Sequence, residues 1–173
     1  VVIDFEIAGV KSGNVSRGHR FLSSGAITIN NATEYVEKMA ENFVIVNQEL
    51  RRSMILQQIE ELAASKNGRA DITEDLLEEV VYLVEYPTAL CGVFEEKYLK
   101  LPPETVVTPM REHQRYFPVK DANGSLMPMF ITVRNGGAEH LNIVQHGNER
   151  VLRARLADAQ FFFEEDCKVP LID

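Results

Sequence analysis

The chain holds 173 residues, 45% hydrophobic and 25% charged, with a formal net charge of −8. That is enough apolar material for one compact core, and the acidic balance argues against a domain that binds nucleic acid alone through bulk electrostatics. No apolar run approaches the roughly 20 residues that span a bilayer, and the opening Val1-Val2-Ile3-Asp4-Phe5 lacks the basic flank and apolar stretch of a secretion signal. A soluble, cytoplasmic protein without membrane contact is therefore expected. Cys91 and Cys167 stand far apart and belong to no Cys/His set, so neither a disulfide framework nor a metal site is expected.

Residues 1–7 place Val1, Ile3, Phe5 and Ile7 on one side and Val2, Asp4 and Glu6 on the other, which predicts a half-buried strand. The segment opens inside that strand with no lead-in, which reads as a piece cut from a longer polypeptide. Gly9, Gly13 and Gly18 punctuate the following loop, and residues 25–29 read as a second short strand. Asn31 with Glu34 is a capping signal for a helix reaching about Asn42. Asn47 caps a second helix that ends near Lys66 with Gly68 just beyond. Its apolar stripe is Leu50, Met54, Ile55, Ile59 and Leu62.

Thr73 opens a third helix whose buried face is Leu76, Leu77, Val80, Val81 and Val84, stopped by Pro87. Residues 88–94 read as a strand, and Pro102-Pro103 starts a short helical segment. Residues 115–120 and 126–134 form a hairpin through 121–125, where Asn123-Gly124 supplies positive backbone angles. The last predicted helix covers residues 148–166, with Leu152, Leu156, Ala159 and Phe163 as its core stripe. Phe161, Phe162 and Phe163 in succession span about 200° of that helix, so its end needs cover from a neighbouring lobe or subunit. The chain has no internal repeat or flexible linker. One α+β unit over 1–173 is expected, with 1–100 and 101–173 as possible lobes.

Residues 111–155 are the one basic stretch, with seven basic against four acidic side chains. Within it, Arg111, His113, Gln114, Arg115 and Tyr116 form a cluster at a helix-to-strand junction. Arginine pairs with phosphate, aromatic rings stack on unpaired bases and glutamine reads a base edge; equally, the ring can fill the core and the arginines can pair with Glu112 or another acid. Arg150, Arg153 and Arg155 form a second basic group. Phosphate contact is one reading of it; pairing of Arg155 with Asp158 and of Glu149 with Arg153 is the other. Arg17-Gly18-His19-Arg20-Phe21 is a third, compatible with an anion-binding turn but lacking any nucleotide-loop pattern. No nucleophile, base and oxyanion set is recognisable, so no catalytic residue is assigned.

The run from Arg17 to Leu22 with Gly25-Ala26-Ile27, the run Leu76 to Val80 with Pro87, the stretch His113-Gln114-Arg115-Tyr116-Phe117-Pro118-Val119, and the stretch from Gly147 to Asp166 together resemble the beta chain of bacterial heterotetrameric glycyl-tRNA synthetase. The resemblance covers nearly all of the chain, in order. It implies an enzyme of two alpha and two beta chains that uses ATP, with Mg, to attach glycine to its tRNA. In that family the alpha chain holds the adenylate site, and the beta chain binds tRNA and completes the assembly. The fold it implies is α+β with mixed or antiparallel sheets and packed helices, similar to the editing-module region of the phenylalanyl-tRNA synthetase beta chain. On this resemblance the segment is a non-catalytic module with no cofactor of its own. Its partners are the alpha subunit, the rest of the beta subunit and tRNA-Gly. Arg111, His113, Gln114, Arg115, Tyr116, Arg150 and Arg153 are its tRNA candidates, and Phe161 and Phe162 its interaction surface. A pure scaffold is the alternative, and a hydrolase acting on mischarged tRNA a more distant one.

Overall fold

The computed structural model describes residues 2–168. Its centre follows from two stretches of alternating side chains, Phe117–Lys120 (called β7) and Leu126–Asn135 (β8), joined as an antiparallel hairpin. Successive residues of a strand point to opposite faces. Phe117, Val119 and Ile131 accordingly enter one apolar cluster, while Tyr116 and Phe130 enter another. Arg69–Ala70 (β5) pairs with β7, and Pro87–Val93 (β6) pairs with β8, giving the order β5-β7-β8-β6. Every pairing is antiparallel, so of the two expected arrangements, mixed or antiparallel, the sheet takes the second. Strands from both sides of residue 100 share this sheet, and a lobe boundary there would cut it.

Each face is covered by helices. Gln48–Ser65 (α2) and Glu74–Leu83 (α3) bury Ile55, Ile59, Ala63, Leu76, Leu77, Val80 and Val81 against the first face. Pro103–Thr108 (α4), the π-helical turn Pro109–His113 that continues it, and Leu141–Asp166 (α5) bury Val106, Met110, Leu152 and Leu156 against the second. A fully buried side chain of this size contributes roughly 1.5–3 kcal/mol, against roughly 0–1 kcal/mol for an exposed ion pair. The two cores therefore outweigh the surface charges in holding the layers together.

One close approach fixes the second core. Gly92 on β6 lies opposite Phe130 on β8, and a Cβ at Gly92 would stand 2.4 Å from the Phe130 ring. The same ring stacks on Tyr116, with centroids 4.4 Å apart and planes 13° apart. Strand β6 is the outer strand on this side, and side chains meet its free backbone. Gln58 accepts from the Ala89 amide at 2.8 Å and donates to the Pro87 carbonyl at 3.2 Å, and Glu149 accepts from the Val93 amide at 3.0 Å.

The N-terminal part consists of two separate hairpins, Glu6–Ile7 (β1) with Val10–Lys11 (β2) and Val15–Arg17 (β3) with Ala26–Thr28 (β4), followed by the helix Tyr35–Glu41 (α1). The expected half-buried first strand is not there. Ala8 and Gly9, at φ 51° and 79°, turn the chain back after two residues, and Val2, Ile3, Phe5 and Ile7 are exposed; Val1 lies outside the described residues. The second helix also differs in detail. Leu50 is exposed, and Leu62 and Met54 are only half-buried, because the buried line runs through Ile55, Ile59 and Ala63. Its C-terminal left-handed residue is Asn67, φ 57°, not Gly68. Gly68 donates to the Ala63 carbonyl and is required for space, since a Cβ there would meet Val119 Cγ1 at 2.5 Å.

Asn31 and Glu34 form the expected reciprocal cap, and Asn47 accepts from the amides of Glu49 and Leu50. Thr73 stands at the predicted start of α3, but its hydroxyl makes no capping bond. In the 121–125 turn Gly124 alone has positive φ, +82°, and Asp121 rather than Asn123 organises it by accepting from the amides of Asn123 and Ser125. Replacing Gly92 by Ala is expected to cost about 1–3 kcal/mol through overpacking, with Phe130→Leu in the same chain recovering part of the loss. Urea unfolding of the two variants checks this; equal losses in the single and double variants would show that the ring is not the obstacle.

Candidate nucleic-acid interface

The stretch carrying most of the expected RNA contacts is a helix end. After the π-helical turn, Arg115 takes a left-handed conformation, φ 55°, and the Tyr116 amide donates back to the Met110 carbonyl at 2.9 Å. The carbonyls freed at such an end need donors. The Arg115 guanidinium supplies them to Glu112 and His113 at 3.2 and 3.3 Å, while its Nε pairs with Glu79 on α3 at 2.7 Å. Arg111 pairs with Asp71, just after β5, at 2.5 Å, and Lys120 reaches the same carboxylate at 2.8 Å. Arg111 Nε is buried and has no partner. Neither arginine pairs with Glu112.

Tyr116 does not present its ring to a ligand. It is 4% exposed, stacked on Phe130, and burial pushes its phenol up to about 12. An aromatic ring next to arginines has the composition of a base-stacking site, but strand alternation sends this one into the core. His113 is exposed and Gln114 half-buried at the surface of the same turn.

On α5, Arg150 is exposed and Arg153 pairs with Glu95, just beyond β6, at 3.1 Å. The expected Glu149–Arg153 pair is not formed. Glu149 instead turns inward, where burial would raise its pKa but hydrogen bonds from Gln145, the Val93 amide and His146 outweigh burial and hold it below the ordinary carboxylate value. Among the described residues Arg155 and Asp158 do not form an ion pair either. The basic residues thus do not share one groove: Arg111 and Arg115 are engaged at β5 and α3, and Arg153 beyond β6.

Phe161 and Phe162 are 57% and 64% exposed and meet edge to face at 5.6 Å, whereas Phe163 is half-buried. Among the described residues no three His, Cys, Asp or Glu side chains converge as around a metal ion. No helix among them is long and apolar enough to cross a membrane. Asp71, Glu79 and Glu95 went unnoticed as the partners that define this surface; each lies far along the chain from its arginine, 40 residues for Asp71 and Arg111 and 36 for Glu79 and Arg115, and no local pattern marks it.

Comparison with known proteins places this antiparallel α+β module among the components of aminoacyl-tRNA synthetases. The chain belongs to the family described as glycyl-tRNA synthetase beta subunit, whose model matches residues 1–173. It is 55% identical over 172 residues to the glycine--tRNA ligase beta subunit of Desulforudis audaxviator, covering 99% of this chain and 25% of that protein. The corresponding subunit of Moorella thermoacetica is 54% identical over 170 residues, and that of Listeria monocytogenes 52% over 170, each over 98% of this chain. The chain spans about a quarter of the length of the curated relatives it matches.

Tyr116 provides a pH test of the packing. Its folded value of about 12 lies above the ordinary 10, so its contribution is intact below pH 10 and is lost as pH rises from 10 through 12. Tyr116→Phe, which keeps the ring, is expected to flatten the alkaline fall in stability. Denaturant midpoints between pH 8 and 12 measure this, and identical slopes in wild type and variant would contradict the buried phenol.

Proposed function

We propose that the chain is a non-catalytic structural and tRNA-contacting module of a glycine--tRNA ligase, the enzyme that attaches glycine to tRNA-Gly with ATP and Mg bound elsewhere in the assembly. The observation that carries this reading is the match of all 173 residues to the beta-subunit family. Its partners are the alpha subunit, the remainder of the beta subunit and tRNA-Gly. The exposed pair Phe161 and Phe162 is the contact for another part of the assembly, since adjacent bare rings at a helix end favour burial against a partner. The sheet covered by helices supports the architectural likeness to the editing-module region of the phenylalanyl-tRNA synthetase beta chain. Fold does not carry activity with it, and a pocket that accepts the smallest amino acid excludes larger ones sterically, so a hydrolytic second sieve is little needed.

Of the tRNA candidates, His113, Gln114 and Arg150 have outward polar ends. Arg111, Arg115 and Arg153 reach phosphate only by exchanging their carboxylates. Those ion pairs favour the second reading, a pure scaffold, for these three residues.

The distinguishing measurement is cross-linking of thiouridine-substituted tRNA-Gly to the full-length beta subunit assembled with its alpha partner. Cross-linked peptides are expected within this segment; none at all would leave the scaffold. In the same assembly Arg150→Gln is expected to lower the salt dependence of tRNA affinity by about 0.9 of a logarithmic unit if it meets a duplex phosphate, whereas Arg115→Gln leaves that slope unchanged. Phe161→Ala with Phe162→Ala should weaken subunit assembly in sedimentation without altering the slope, and a wild-type assembly constant would remove those rings from the interface.

A further inference from the structure

The hairpin loop between β3 and β4 carries a cationic and aromatic group that the ion-paired surface above does not use. Arg17, at the end of β3, and Arg20 are exposed, and among the described residues neither has a carboxylate within ion-pair distance. This contrasts with Arg111, Arg115 and Arg153. Phe21 is 81% exposed, and the Arg20 guanidinium lies 5.7 Å from the centre of its ring. The concavity beside them, about 660 Å³, is lined by Arg17, Arg20, His19, Ser23 and two glycines, with no carboxylate.

An exposed phenylalanine on a wandering loop would mean little. This loop is fastened from beneath. His19 is 1% exposed. Its Nδ1 accepts from the Phe21 amide at 3.2 Å, so Nε2 carries the hydrogen and donates to Asn135 Oδ1 at 3.1 Å. Asn135, at the end of β8, also accepts from the amides of Glu85 and Tyr86, which ties the loop to the central sheet. The His19 amide donates to the Asn42 carbonyl at 2.9 Å, the Ser23 hydroxyl donates to Asn42 Oδ1 at 2.8 Å, and the Ser23 amide closes the turn on the His19 carbonyl at 3.0 Å. A Cβ on Gly18 would stand 2.6 Å from Asn42, so the loop lies directly on the end of α1. The buried histidine thus fixes the backbone that carries two guanidiniums and a bare ring, so a later ligand need order only their side chains.

We propose that this loop is a contact for an unpaired nucleotide of the tRNA, with the base stacked on Phe21 and the flanking phosphates paired with Arg17 and Arg20. The proposal rests on the reading that this module meets tRNA and names where. Charge complementarity and the flat ring favour RNA over an acidic polypeptide: carboxylates satisfy the arginines but offer no surface to stack on phenylalanine, whereas every base has one.

The test uses the full-length beta subunit assembled with its alpha partner. Phe21→Ala is expected to weaken tRNA-Gly binding about tenfold, and Phe21→Trp, which keeps a stacking surface, to restore it. Arg17→Ala with Arg20→Ala should lower the slope of log affinity against log salt by about 1.4, at roughly 0.7 per single-strand phosphate. Glycine-dependent ATP–pyrophosphate exchange, which needs no tRNA, should stay at the wild-type rate in all three and so reports that the assembly is intact. Wild-type affinity and slope in the Ala variants, alongside cross-links elsewhere in the segment, would overturn the loop assignment alone. Absence of any cross-link in the segment would overturn it together with the broader reading. Competition by polyglutamate equal to that by polyuridylate would replace the RNA with an acidic protein.

Discussion

Phe130 is the residue on which the layers depend. Its ring crosses the bare backbone of Gly92 on one strand and lies flat on Tyr116 at the start of another. The neighbouring Ile131 points the opposite way, into the cluster formed with α2 and α3. One dipeptide therefore supplies both cores, and the pleat sets their separation. Helices on opposite faces are kept in register through the sheet, α2 packing on β6 and β8 and α5 on β6.

Charge has a different role here from the one composition suggests. The arginines of the basic stretch act as ties between elements remote in sequence: Arg111 joins the turn after α4 to the end of β5, Arg115 joins it to α3, and Arg153 joins α5 to the segment after β6. Pairs as exposed as these contribute little individually, and their effect is to fix direction and register among elements already held by apolar burial. Arg17 and Arg20 on the N-terminal hairpin loop have no carboxylate within ion-pair distance among the described residues, and neither have Arg150 and Arg155 on α5. A net charge of −8 is thus compatible with a local, fixed cationic site, since recognition by stacking and two phosphates needs no extended positive field.

The sequence was readable where a local rule decides the outcome. The Asn31–Glu34 cap, the Asn47 cap, the buried face of α3, the 117–135 hairpin and the Leu152–Leu156 stripe all depend on residues within one or two turns of each other. Reading failed where a distant partner intervenes. Helix α5 begins at Leu141, not near Asn148, because its buried face there is polar: Glu149 turns inward to accept from the Val93 amide and Gln145 donates to Glu149, and apolar periodicity cannot register such a face. The N-terminal alternation was genuine but pairs only over Glu6–Ile7, in a hairpin separate from the central sheet. Tyr116 had the neighbours of a base-stacking ring, and its true surroundings, the Phe130 ring and the cluster that includes Leu152, come from other elements. The cluster at residues 17–21 was visible as residue types, but what gives it substance is the 116-residue separation between His19 and Asn135, which no motif encodes.

The outer strand β6 shows how this module is set up to meet its neighbours. Pro87 has no amide to offer, the Ala89 amide is taken by Gln58 and the Val93 amide by Glu149. An edge so occupied at positions 87, 89 and 93 is blunted against pairing with an incoming chain. An incoming surface meets side chains along much of this edge. Blunting of this kind disfavours unselective strand pairing and leaves recognition to specific side chains.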